Sequence, residues 1–126
     1  MIRLGDFLAV RDGICEVRPQ GECSLVEAVD LVRGGIDHCR KRSVIKLLFD
    51  ARGLAGVAIP TLVDRFLAVE EWAHAAKGMV IVVLVVYPEY IHPEKFGVKV
   101  AAHLGLTANV FADEADARKW LDGFAI

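Results

Sequence analysis

Apolar positions along the chain change rhythm several times, and each change marks an element. Residues 7–10 and 14–18 are short β-prone runs on either side of Arg11-Asp12-Gly13, whose Asp-Gly pair supplies the positive φ of a tight hairpin turn. Ser24 followed by Glu27 is a capping box, after which Val26, Val29, Val32, Ile36 and Cys39 recur at helical spacing up to the cationic Arg40-Lys41-Arg42. The spacing predicts a first helix over about 25–42. Gly34-Gly35 inside it costs helix propensity, about 1 kcal/mol per glycine against alanine, so either another part of the chain approaches closely there or the helix has a loose hinge.

Residues 44–50 are nearly continuous in apolar character and end in Asp50, which predicts a strand covered on both faces. After a loop over 51–59, Pro60 suits a first helical position, and Leu62, Phe66, Val69, Ala73 and Ala76 form the expected inner stripe of a second helix stopped by Gly78. The β-branched run 79–86, closed by Pro88, reads as the central strand of a parallel sheet. Pro93 is expected to open a third helix with Phe96, Val100 and Leu104 inward, Gly105 to cap it, and 108–112 to form a last strand. Asp113 and Asp116 then start a fourth helix carrying Ala117, Trp120 and Leu121. The order β-β-α-β-α-β-α-β-α specifies one α/β domain over 1–126, with a mixed, mainly parallel sheet of about five strands and an antiparallel hairpin at its edge.

Composition narrows the function classes. With 15 Lys+Arg against 17 Asp+Glu the formal charge is −2, which excludes a polyanion-binding tail and gives no support to nucleic-acid binding. The basic cluster 38–42 instead complements a helix dipole. Counted with glycine and without tyrosine, about 62% of the residues are apolar, well above the usual ~45–50%, so the surplus predicts a homodimer or a hydrophobic ligand pocket. Leu31, Val57, Ile59 and Ile91 fall outside the expected core faces and are the interface candidates. Cys15, Cys23 and Cys39 are odd in number and unlike a zinc knuckle in spacing, which predicts reduced thiols in a cytoplasmic protein. No apolar run reaches the ~20 residues of a transmembrane helix, and the first residues do not read as a secretory signal.

The element order, the strand Leu47-Leu48-Phe49-Asp50 with its Gly-containing loop, the apolar strand near residue 80 and the ending Val110-Phe111-Ala112-Asp113-Glu114-Ala115-Asp116-Ala117-Arg118-Lys119-Trp120-Leu121 together resemble the STAS domain, and within it the SpoIIAA-like group. The ending is the most specific part, being similar to the F-x-D-E-x-x-A-x-x-W-L close of such chains. The resemblance implies a non-catalytic binding or regulatory domain with a protein partner. In that family an Asp-Ser-Ser-Gly stretch at the start of the second helix presents a phosphorylatable serine to a kinase. Counting from Asp50, the matching stretch here is Ala58-Ile59-Pro60-Thr61, which puts Pro60 at the phosphoacceptor position and Thr61 one residue off. Thr61 is thus a candidate modification site or simply a helix cap.

In open α/β sheets ligands gather beyond the carboxyl ends of the strands. That rule groups Asp50, Arg52 and Gly53 with Tyr87, Glu89, Tyr90 and His92 as the candidate ligand or partner site. A carboxylate, a guanidinium, two phenols and an imidazole suit a small anion or acid-base chemistry. The alternative is structural: Asp50 caps the loop, Arg52 pairs with it, and His92 lies at a helix N-cap. No nucleophile elbow, Walker loop or Gly-x-Gly-x-x-Gly occurs, so no catalytic residue and no cofactor is expected. The histidines at 38, 74, 92 and 103 form no i,i+4 pair and give no metal site. The readings carried forward are a non-catalytic binding domain, a small-molecule binder or enzyme at the strand ends, and a lipid or hydrophobic-ligand domain.

Overall fold

The computed structural model describes residues 2–124; residues 1, 125 and 126 of the expected domain lie outside the described residues. Among the described residues seven strands and four α-helices follow in order: β1 (Leu8–Arg11), β2 (Ile14–Val17), β3 (Gly21–Glu22), α1 (Leu25–Lys41), β4 (Lys46–Asp50), β5 (Leu54–Ala55), α2 (Leu62–Ala76), β6 (Ile81–Val85), α3 (Phe96–His103), β7 (Ala108–Phe111) and α4 (Glu114–Asp122). A five-stranded sheet has the order β1-β2-β4-β6-β7, antiparallel at β1–β2 and parallel elsewhere. The hairpin forms as expected, with Asp12 at φ 53° and Gly13 at φ 77°. The run at 79–86 is interior, but β4 holds the centre and β6 stands next to the β7 edge. A helix crossing precedes each of β4, β6 and β7, so every crossover adds a strand on the same side, away from the hairpin.

Alternation along the strands divides the interior in two. On one face Cys15, Val17, Leu47, Phe49 and Val82 pack against Val32, Ile36 and Cys39 of α1, Val69 and Ala76 of α2 and Ala101 of α3. On the other, Ile14, Leu48, Val83 and Val85 meet only α4, through Ala117 and Leu121, with Trp120 packed between Phe111 and Phe124 at ring-centroid distances of 6.4 and 5.0 Å. The C-terminal motif therefore performs the packing expected of it.

The Ser24–Glu27 capping box starts α1. The glycine pair marks close approach, not a hinge. A Cβ on Gly35 would lie 3.3 Å from Leu47 Cδ2, and one on Gly34 would lie 3.2 Å from Leu4 Cδ2. Helix α1 is continuous through both.

Three further expectations are corrected. Helix α2 buries Ala68, Val69, Ala75 and Ala76, while Leu62 and Phe66, assigned to its inner stripe, are exposed. At 100° per residue its buried face is turned by roughly a quarter turn from that stripe. Helix α3 starts at Phe96 instead of Pro93, because 93–95 form a turn in which the Glu94 amide donates to His92 Nδ1 at 3.1 Å and Lys95 takes φ 50° as N-cap. Its buried residue is Ala101, with Leu104 exposed. Finally, the loop after β4 is partly structured: β5 pairs in parallel with β3 as a separate two-stranded sheet.

Candidate functional site

The residues grouped beyond the strand ends divide between the two faces of the sheet. Asp50 shares its face with Leu48 and so lies on the α4 side. Its carboxylate accepts from the Arg52 amide at 3.0 Å, from Arg52 Nε at 3.0 Å and from Nη2 at 2.8 Å. Burial pushes the Asp50 carboxyl up, but these bonds outweigh it and hold the group below the usual carboxylate range. The same bonds raise Arg52. A carboxylate saturated by its own loop is a poor general base. Gly53 serves packing: a Cβ there would come within 2.6 Å of the Pro19 carbonyl oxygen, and its own carbonyl accepts from the Gly21 amide at 3.2 Å.

Thr61 is the N-cap of α2. Its hydroxyl accepts from the Asp64 amide at 3.1 Å and its amide donates to the Asp64 carboxylate at 2.9 Å. Glu89 is exposed in a single 3-10 turn, Pro88–Tyr90.

Tyr87, Tyr90 and His92 belong to the opposite face, where they line a cavity of about 180 Å³ between the sheet and α1, α2 and α3. Its walls are apolar, built by Val29 and Val32 of α1, Phe49 of β4, Ala68 and Val69 of α2 and Leu84 of β6. Polar groups gather around it. Arg65 of α2 donates from Nη1 to the Tyr90 carbonyl at 3.0 Å, and the Tyr90 hydroxyl donates to the Val57 carbonyl at 2.6 Å. Burial pulls Arg65 below the usual guanidinium value with no carboxylate offsetting it. Lys95 also lines it, its ammonium lying 2.9 Å from Asn109 Oδ1 and 4.7 Å from the centre of the Phe111 ring.

A second polar group escaped sequence reading because its members are far apart in the chain. Glu16 of β2, 3% exposed, sits under three guanidiniums: Arg11 at 2.9 Å, Arg18 at 3.1 Å and Arg118 of α4. Arg18 and Arg118 also hold Glu114, at 2.8 and 3.0 Å. Burial raises the Glu16 pKa, but the bonds from Arg118 and Arg11 prevail and lower it overall. This network ties β2 to α4 through Arg118 and Glu114.

Of the interface candidates, Ile59 is 55% exposed. Leu31 packs against the core, Val57 lines the cavity, and Ile91 is half-buried. Beside Ile59 the structure exposes Leu62, Val63, Phe66 and Leu67, at 51, 66, 41 and 54%. At helical spacing these residues fill one continuous arc on the first two turns of α2. The signal for it is in the sequence, where α2 is apolar on two sides.

Among the described residues no group of three or more His, Cys, Asp or Glu could hold a metal ion, and no helix is long and apolar enough to cross a membrane.

No protein-family model matches the chain, and no curated protein matches it in sequence. A solved structure does. The anti-sigma factor antagonist SpoIIAA in its unphosphorylated form superposes with a TM-score of 0.50 and 15% sequence identity, over 98% of this chain and 100% of that one. The fold is therefore STAS-like, as the order of elements and the C-terminal motif led us to expect.

Proposed function

We propose that this chain is a non-catalytic binding domain that engages another protein surface through the outward arc of α2, a second copy of the chain being the partner. One observation carries the reading: Ile59, Leu62, Val63, Phe66 and Leu67 form a contiguous apolar surface on a helix whose other side is already buried. Monomers seldom leave such a patch in water. The solved structure sharing this fold is named as an antagonist of another protein, which is a binding role. That antagonist is described in an unphosphorylated form, whereas the position here that corresponds to the phosphorylatable serine of the resembled family is Pro60, which has no hydroxyl. The neighbouring Thr61 hydroxyl is committed to its capping box. On this reading, binding through α2 does not use the serine switch of the resembled family.

The acid-base candidates support the non-catalytic part, since Asp50 and Arg52 neutralise each other. Three free, buried cysteines suit a reducing, cytoplasmic setting. Size-exclusion chromatography with light scattering at tens of micromolar tests the reading. The wild type is expected as a dimer and Phe66→Glu as a folded monomer. A wild-type monomer, or a dimer indifferent to Phe66→Glu and Leu67→Glu alike, overturns it.

A further inference from the structure

The cavity behind α2 is distinct from that outward arc, and its shape and chemistry define a ligand. Its volume of about 180 Å³ is slightly larger than the ~150 Å³ of an apolar protein cavity that stays dry and takes up benzene. It suits one aromatic ring or a short alkyl chain and falls below the ~300–1,000 Å³ of sites for larger organic ligands. The polar groups around it are biased toward donors. Arg65 spends Nη1 on the Tyr90 carbonyl and keeps Nε and Nη2 free, with no ion-pair partner among the described residues. His92 accepts at Nδ1 from the Glu94 amide, which leaves Nε2 to carry the proton and donate. The Tyr87 hydroxyl has no hydrogen-bond partner among the described residues, and Tyr87 is half exposed. The one acid on the lining, Asp64, is held by the Thr61 amide in the capping box. A partly buried guanidinium with spare donors and no carboxylate partner among the described residues is complementary to a carboxylate.

We propose that the cavity binds a small monocarboxylate, its single ring or short alkyl body among Val29, Phe49, Val69 and Leu84 and its carboxylate on Arg65 and His92. Phenylacetate is the probe, followed by amide chemical shifts and calorimetry. Its neutral analogue 2-phenylethanol has the same body, and palmitate has the same head on a body too long for the space. Phenylacetate is expected to shift amides around the cavity and to bind at least tenfold more tightly than 2-phenylethanol. Arg65→Gln should erase that preference while leaving the alcohol's affinity in place. Ala68→Leu, which fills the space from α2 without removing a donor, should abolish binding of both and keep the thermal midpoint at or above that of the wild type. Any of three results overturns the proposal: no shifts at 10 mM phenylacetate, equal affinity for acid and alcohol, or palmitate binding more tightly than phenylacetate. Shifts confined to Leu62, Val63, Phe66 and Leu67 also overturn it, because they place the compound on the outward arc. Loss of the dimer leaves these measurements unaffected, so the two readings fail separately.

Discussion

The hydroxyl of Tyr90 donates to the carbonyl of Val57 at 2.6 Å, joining the loop after β6 to the loop that leads into α2. The Tyr90 carbonyl in turn accepts from Arg65, so one residue ties three elements together at the edge of the cavity. Tyr90→Phe removes only the first of these bonds. A net cost of about 1 kcal/mol is expected in chemical denaturation, with faster hydrogen exchange confined to the residues around 57–61 and 90. Unchanged exchange in that segment would show that the bond does not anchor it.

Glu16 makes stability depend on acid. Its folded pKa lies below the ordinary 4.5, so its contribution is complete above that value and is lost as pH falls through the folded value. Glu16→Gln is expected to cost about 1–3 kcal/mol at neutral pH, because a buried acceptor is weakened beneath three guanidiniums. The difference should shrink steadily below pH ~4.5. Urea titrations of both proteins at several pH values measure it, and a gap that is constant down to pH 3 refutes the assignment.

Gly53 and Gly35 separate two kinds of tightness. At Gly53 a methyl group meets the Pro19 backbone oxygen at 2.6 Å, which can yield only by moving the chain. At Gly35 it meets the Leu47 side chain at 3.3 Å, and the gain in helix propensity offsets part of the strain. Gly53→Ala is expected to cost about 1–3 kcal/mol and Gly35→Ala clearly less. Thermal midpoints of the two variants decide the order.

Cys15, Cys23 and Cys39 are all buried. Burial pushes the Cys23 thiol up, the Cys39 thiol beside Cys15 is also raised, and the Cys15 thiol is lowered by its hydrogen bond with Cys39 but is wholly buried. None of the three is expected to react quickly in the native state. Ellman titration of the folded protein should show no rapid phase, with all three thiols reacting in denaturant. A rapid native phase would mean that one of them lies nearer to solvent than described.

What could be read from the chain depended on how local the determinants are. The hairpin turn at Asp12-Gly13, the caps at Ser24 and Asp113 and the buried runs of β4 and β6 are set by adjacent residues, and they stand where periodicity put them. The facing of α2 was not legible in the same way. Leu62, Phe66 and Val69 make one plausible stripe and Ala68, Val69 and Ala75 another, and small alanines lose to large residues in a pattern although they allow closer packing. Close packing by alanine is also what leaves Leu62 and Phe66 outside. The candidate site was legible as a location and not as a unit. Strand alternation sends Asp50 toward α4, whereas Tyr87, Tyr90 and His92 line the cavity behind α2. The Glu16 network joins residues 11, 16, 18, 114 and 118, a distance in sequence that no local motif spans.

The two tryptophans stand on opposite sides of the five-stranded sheet: Trp72 reaches α1 through its bond to the Val29 carbonyl, and Trp120 lies against Phe111. The parallel ladder between them pairs Ile14 with Lys46, Lys46 with Ile81 and Val82 with Ala108, so neither indole finds its native surroundings until distant segments have met. Nature has thereby supplied two independent fluorophores for one cooperative event, and single-tryptophan versions should trace superimposable melting curves.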